Sequence, residues 1–216
     1  MANNCPAVGL VLGLISTVGI LYALASKEWK RNSAASSQNV NRGINSYEGL
    51  WIRCTSPYPG QFQCDNFDES SLALPASLQA QRAMMCLSAI AAVAALAAGT
   101  IGLHCIKVME GTKAKTYTGR GGGILMMLAG ALCVAAVSWY AADVIYQFHV
   151  EVILNSTFAY ELGSAIYVGW VAGGLALIAG ALMACCTCGN DEDTESYPAY
   201  TYKPPSAKPA HNTEYV

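Results

Sequence analysis

Cys54 and Cys64 stand about ten residues apart in a polar, aromatic-rich stretch, whereas Cys5, Cys86, Cys105, Cys133, Cys185, Cys186 and Cys188 lie in or beside apolar blocks. Two thiols at that spacing offer either a disulfide or half of a metal site, and the absence of histidine from the stretch disfavours zinc. Charged side chains crowd the same place: Arg53, Asp65, Asp68 and Glu69. Fixed charges of this kind act on ions by electrostatics rather than by covalent chemistry. Elsewhere no nucleophile stands beside a base, no cluster has metal-ligand spacing, and Gly121 to Gly123 follows no strand that would make it a phosphate loop. No enzyme, metal or cofactor is expected.

The elements that hold these residues follow from composition. Of 216 residues 54% are hydrophobic and 12% charged, against roughly 25% charged in soluble proteins. The net charge of −2 gives no basic surface for nucleic acid. The apolar residues fall into four blocks, 7–25, 82–103, 121–142 and 164–186, each long enough to span a bilayer. Gly9, Gly13, Gly19, the run from Ala91 to Ala98, Gly173, Gly174 and Gly180 make the blocks rich in small residues, which let membrane helices approach closely. Block interiors carry no Asp, Glu, Lys or Arg, so a proton relay or ion path through the bundle has nothing to run on.

Loop charge sets the orientation. The segment 104–120 carries Lys107, Lys113, Lys115 and Arg120 against Glu110, while 143–163 carries Asp143, Glu151 and Glu161 without a basic residue. The basic loop is therefore cytoplasmic, with the N-terminus 1–6 and the tail 187–216 on the same side. The segments 26–81 and 143–163 are extracellular. Cys54 and Cys64 are then the only cysteines outside, where oxidising conditions pair them, and closing the loop contributes roughly 2–3 kcal/mol. Glu48 to Arg53 and Gln61 to Cys64 read as strands of a hairpin around Pro57, Pro59 and Gly60.

Trp29, then Gly49, Leu50 and Trp51, then Cys54 and Cys64, with Arg82 at the start of the next helix, resemble the signature of the claudin family of tight-junction proteins. Tyr160 to Gly163 with Gly169 and Trp170 resemble the beginning of that family's fourth helix, and Tyr215 and Val216 its usual ending. The resemblance covers nearly the whole chain. It implies a membrane all-α four-helix bundle, left-handed, topped by a small extracellular antiparallel sheet, four strands from the long loop and one from the short. It also implies polymerisation with other claudins in cis and in trans, as a homo-oligomer or hetero-oligomer, at the tight junction of the plasma membrane. The sheets of such polymers line paracellular pores or seal the gap. Related four-span families share part of the signature, which leaves open an accessory or adhesion protein that modulates other membrane proteins.

In that family, residues between the two cysteines and just after the second tune the pore. Here Thr55 to Gln63 is uncharged and the residue after Cys64 is Asp65. Asp65 is expected to favour cations, with Asp68 and Glu69 adding negative potential and Arg53 opposing it; a barrier with these as solvated charges is the other reading. Phe148 matches an aromatic used in contact between opposed molecules, but His149, Val150, Glu151 replaces the Tyr-Asn-Pro of many claudins. Asn155 heads a glycosylation sequon, though its nearness to the fourth helix favours an unmodified site. Cys185, Cys186 and Cys188, and to a lesser degree Cys105, are palmitoylation candidates that would add a contact with membrane lipid. The tail is polar, acidic and Pro-rich, a disordered composition. It ends in Tyr215 and Val216, suited to strand addition onto PDZ scaffold proteins of the junctional plaque.

Overall fold

The protein, in a computed structural model, is described over residues 5–32, 45–58, 61–66, 75–102, 113–153 and 160–188. Four helices, α1 (Cys5–Ala25), α2 (Ala76–Gly102), α3 (Lys113–Ile153) and α4 (Ser164–Cys188), each contain a segment long and apolar enough to cross a membrane. α3 has 41 residues and is about 60 Å long, twice the thickness of a hydrocarbon core. The apolar block ends at Ala142, yet residues 143–153 continue the helix. Asp143 lies inside the helix and the candidate span, its carboxylate accepting a 2.8 Å bond from the Nε2 of buried Gln81 on α2.

Small residues set the helix spacing. A Cβ on Gly123 would sit 2.8 Å from the Gly180 carbonyl oxygen, and one on Gly130 would sit 2.8 Å from that of Gly173. The glycines recur every seven residues on both helices, so antiparallel α3 and α4 meet backbone to backbone along one seam. Hydroxyls bind across the other contacts, Ser16 Oγ donating to the Ala172 carbonyl and Ser88 Oγ to that of Ala129, each at 2.8 Å. Within a bilayer such donors have no water to fall back on.

At one end of the bundle lies an antiparallel sheet in the order β4-β3-β2-β1-β5, with β1 at Lys30–Asn32, β2 at Asn45–Glu48, β3 at Ile52–Tyr58, β4 at Gln61–Asn66 and β5 at Tyr160–Leu162. The strand expected over Glu48 to Arg53 is instead a turn between two strands. Gly49 and Ile52 bracket it through a 2.9 Å bond from the Gly49 amide to the Ile52 carbonyl, and Leu50 and Trp51 form its tip. The turn leaves no room for a side chain at Gly49: a Cβ there would lie 2.5 Å from the Ser26 carbonyl oxygen and 2.7 Å from the Lys27 Cα. β4, expected to end at Cys64, runs on to Asn66.

Two glycines separate these effects. Gly49→Ala is expected to lower the thermal midpoint of the detergent-purified protein by the equivalent of about 1–3 kcal/mol, since backbone must move. Gly121→Ala, on α3 with nothing within 4 Å of the new methyl, is expected to hold or raise it by up to about 1 kcal/mol.

Candidate functional site

The last carbonyls of a helix lack partners within it and must be met by other donors or by water. α1 meets this with three donors. The Ser26 amide binds the Tyr22 carbonyl at 2.9 Å, the Trp29 indole Nε1 that of Ala23 at 2.8 Å, and the Trp51 indole Nε1 that of Leu24 at 3.1 Å. Trp29 is fully buried, edge-on to Tyr140 of α3 with ring centroids 4.9 Å apart. Leu50, also fully buried, offers its carbonyl to Arg82 Nε at 2.7 Å, and the Arg82 guanidinium stacks 5.0 Å over the Trp51 ring. The residues of the expected signature thus clamp the hairpin tip between the end of α1 and the start of α2.

The other side of the 26–29 segment is held as closely. The Trp29 amide binds the Glu48 carbonyl at 3.1 Å, the Gly163 amide binds the Trp29 carbonyl at 2.8 Å, and the Ala165 amide binds the Glu28 carbonyl at 3.1 Å. A Cβ on Gly163 would overlap the Glu28 carbonyl, so only glycine admits this approach. Ser164, opening α4, donates its hydroxyl to the Glu28 carboxylate at 2.6 Å, a negative charge at the favourable end of the helix dipole.

From this clamp the sheet carries a row of opposed residues, Leu162–Lys30–Glu48–Arg53–Asp65, one from each strand. Directly opposed residues share a face, so four charges alternating in sign lie side by side. Glu48 Oε2 is 2.9 Å from Lys30 Nζ and its Oε1 is 3.1 Å from Arg53 Nη2. The side chains of Lys30 and Glu48 are 12% and 8% exposed, whereas that of Arg53 is 54% exposed and Asp65 is exposed. Lys30 also lies 4.6 Å over the Tyr160 ring. Burial works against the Arg53 charge, but the hydrogen bond and charge of Glu48 outweigh it and hold the guanidinium pKa above its ordinary value. The row is therefore buried and paired at one end and open at the other.

Cys54 and Cys64 are disulfide-bonded, as their isolation in the long loop implied, directly beside the Arg53–Asp65 pair. A one-residue slip of β3 against β4 would put Arg53 and Asp65 on opposite faces, and the crosslink forbids it. Phe148, half-buried on α3, is edge-on to His149 and borders an open pocket of about 380 Å³ with Arg31, Val144, Tyr160, Leu162 and Tyr167. Cys185, Cys186 and Cys188 lie at the end of α4, Cys185 exposed. Asp68, Glu69, Cys105, Asn155, Tyr215 and Val216 lie outside the described residues. Sequence reasoning did not single out Lys30 and took Glu48 only as the first residue of an expected strand. A two-residue turn at Leu50 and Trp51, had it been recognised, would have set Glu48 opposite Arg53.

The fold and site define a class: a four-span membrane protein whose bundle carries a disulfide-bonded sheet at one end. The sequence matches the model of the PMP-22/EMP/MP20/Claudin family over residues 7–183. It is 34% identical over 211 residues to Claudin-14 of Mus musculus, covering 92% of this chain and 87% of that protein. With Claudin-19 of Homo sapiens identity is 37% over 211 residues, covering 96% and 92%, and with Claudin-7 of Homo sapiens it is 32% over 220 residues, covering the whole of both. The chain belongs to the claudins of this family.

Trp29→Phe keeps a ring against Tyr140 but strands the Ala23 carbonyl, and is expected to cost about 1–3 kcal/mol. Trp29→Ala also leaves a cavity and is expected to cost about 3–5 kcal/mol. Melting followed by size-exclusion chromatography checks both, and equal midpoints for the two variants would show that packing around the ring contributes little.

Proposed function

We propose that this chain builds tight-junction strands between adjoining epithelial or endothelial cells and that its sheet borders a paracellular path biased toward cations by Asp65. The family supports the junctional role, as barrier or paracellular pore. The observation that supports the cation bias is the charge row: Asp65 is its exposed outer member, and Arg53, the cation beside it, is bonded to Glu48. A carboxylate about 4 Å from a passing cation contributes about 1 kcal/mol in bulk-like water and about 4 kcal/mol at an effective dielectric constant of 20. Even the smaller figure is about a fivefold preference. Asp68 and Glu69 would deepen the negative potential at the mouth of the path.

In this reading both termini are cytoplasmic, the sheet is extracellular, and Phe148 serves contact between opposed molecules. The tail recruits PDZ scaffolds through Tyr215 and Val216, and acylation at the end of α4 strengthens the hold on membrane lipid.

Dilution potentials across an epithelial layer lacking its own claudins and expressing this chain test the proposal, with strands checked by freeze-fracture. Sodium is expected to be favoured over chloride, and Asp65→Asn is expected to reduce the ratio about fivefold. An unchanged ratio in Asp65→Asn sinks the role of that residue. Strands with high resistance and no selectivity would make the protein a barrier. Expression without strands would favour the accessory or adhesion role.

A further inference from the structure

The geometry points to Glu48 as a residue that positions charge for selectivity, deciding whether Asp65 or Arg53 governs the exposed face of the sheet. The inference rests on the reading that Asp65 borders the ion path. Glu48 divides its carboxylate, Oε2 to Lys30 at 2.9 Å and Oε1 to Arg53 at 3.1 Å, and only 8% of its side chain is exposed. Passing ions therefore do not meet Glu48 itself. They meet Arg53 and Asp65, the outer pair of the row, and Glu48 fixes where the Arg53 charge is held.

With Glu48 ionised, the four charges Lys30, Glu48, Arg53 and Asp65 sum to zero and the outermost is negative. Replacing Glu48 by glutamine leaves a sum of +1 and removes the ion pair between Glu48 and the Arg53 guanidinium. Arg53 is directly opposite Asp65 across the β3–β4 ladder, on the same face, and the Cys54–Cys64 crosslink beside them keeps it there. No longer held by Glu48, the guanidinium offsets Asp65 across the ladder, so the face loses its preference for cations. A carboxylate buried beneath the surface thus tunes selectivity through a neighbouring arginine.

The test measures sodium-to-chloride permeability for the full chain and for Glu48→Gln, Arg53→Gln, the double variant and Asp65→Asn, at matched surface delivery and strand content. Glu48→Gln is expected to lower the ratio about fivefold, the factor that one unit charge supplies at about 4 Å in water. Adding Arg53→Gln to it is expected to restore the ratio to within about twofold of the original, a rescue that a merely structural role would not produce. An unchanged ratio in Glu48→Gln, or a loss that Arg53→Gln does not restore, overturns the inference. Should Glu48→Gln fail to reach the surface because Lys30 is left buried and unpaired, Arg53→Gln alone decides. A change within about twofold supports an arginine already offset by Glu48, and a rise as large as the fall in Asp65→Asn contradicts it. A flat response to Asp65→Asn would instead bring down the reading of the path itself.

Discussion

The structure depends on how α1 stops. A helix leaving a bilayer must find donors for its last carbonyls without carrying water into the membrane, and an indole N–H on an apolar ring does both. Trp29 reaches back to Ala23 and Trp51 arrives from the hairpin tip to reach Leu24. Because the donors come from different parts of the loop, ending the helix and folding the loop are one event. Gly49 and Gly163 follow from it, since the segment carrying Trp29 runs between two backbones that come too close for any side chain.

Once the hairpin tip is docked, the register of the sheet is determined outward from it. The two-residue turn sets Glu48 opposite Arg53, the disulfide sets Arg53 opposite Asp65, and β5, joined to the Trp29 carbonyl through Gly163, sets Leu162 opposite Lys30. Losing one partner of a buried ion pair generally costs about 3–5 kcal/mol, which keeps Lys30 and Glu48 together at the buried end of the row while its outer end faces solvent. Under the proposed cation path, a buried and paired inner end beneath an exposed outer pair would keep the charges in place beside passing ions.

The four helices were legible because twenty-residue apolar blocks survive any averaging, and the disulfide because composition left Cys54 and Cys64 together in the one long polar loop. The residues of the clamp were legible only through resemblance: nothing in the spacing of Trp29 and Trp51 says that both indoles turn to the same helix end. The charge row was hidden for a different reason. The strands that carry Lys30, Glu48 and Leu162, of three or four residues, are too short to show alternation, and the row joins positions 30, 48, 53, 65 and 162, which only the fold makes neighbours. The end of α3 was obscured by Asp143, whose charge closes the apolar block although the helix runs on to Ile153, with Gln81 bonded to that carboxylate.

Hydrogen exchange of the full chain in lipid nanodiscs measures most directly whether helix end, hairpin tip and β5 act together. A single clamp predicts that the amides of Trp29, Gly49, Gly163 and Ala165 exchange slowly and within about tenfold of one another, opening as one cooperative unit. Exchange of Gly49 at the rate of a free loop while Gly163 and Ala165 stay protected would contradict it, and would mean that the hairpin is held by the disulfide alone.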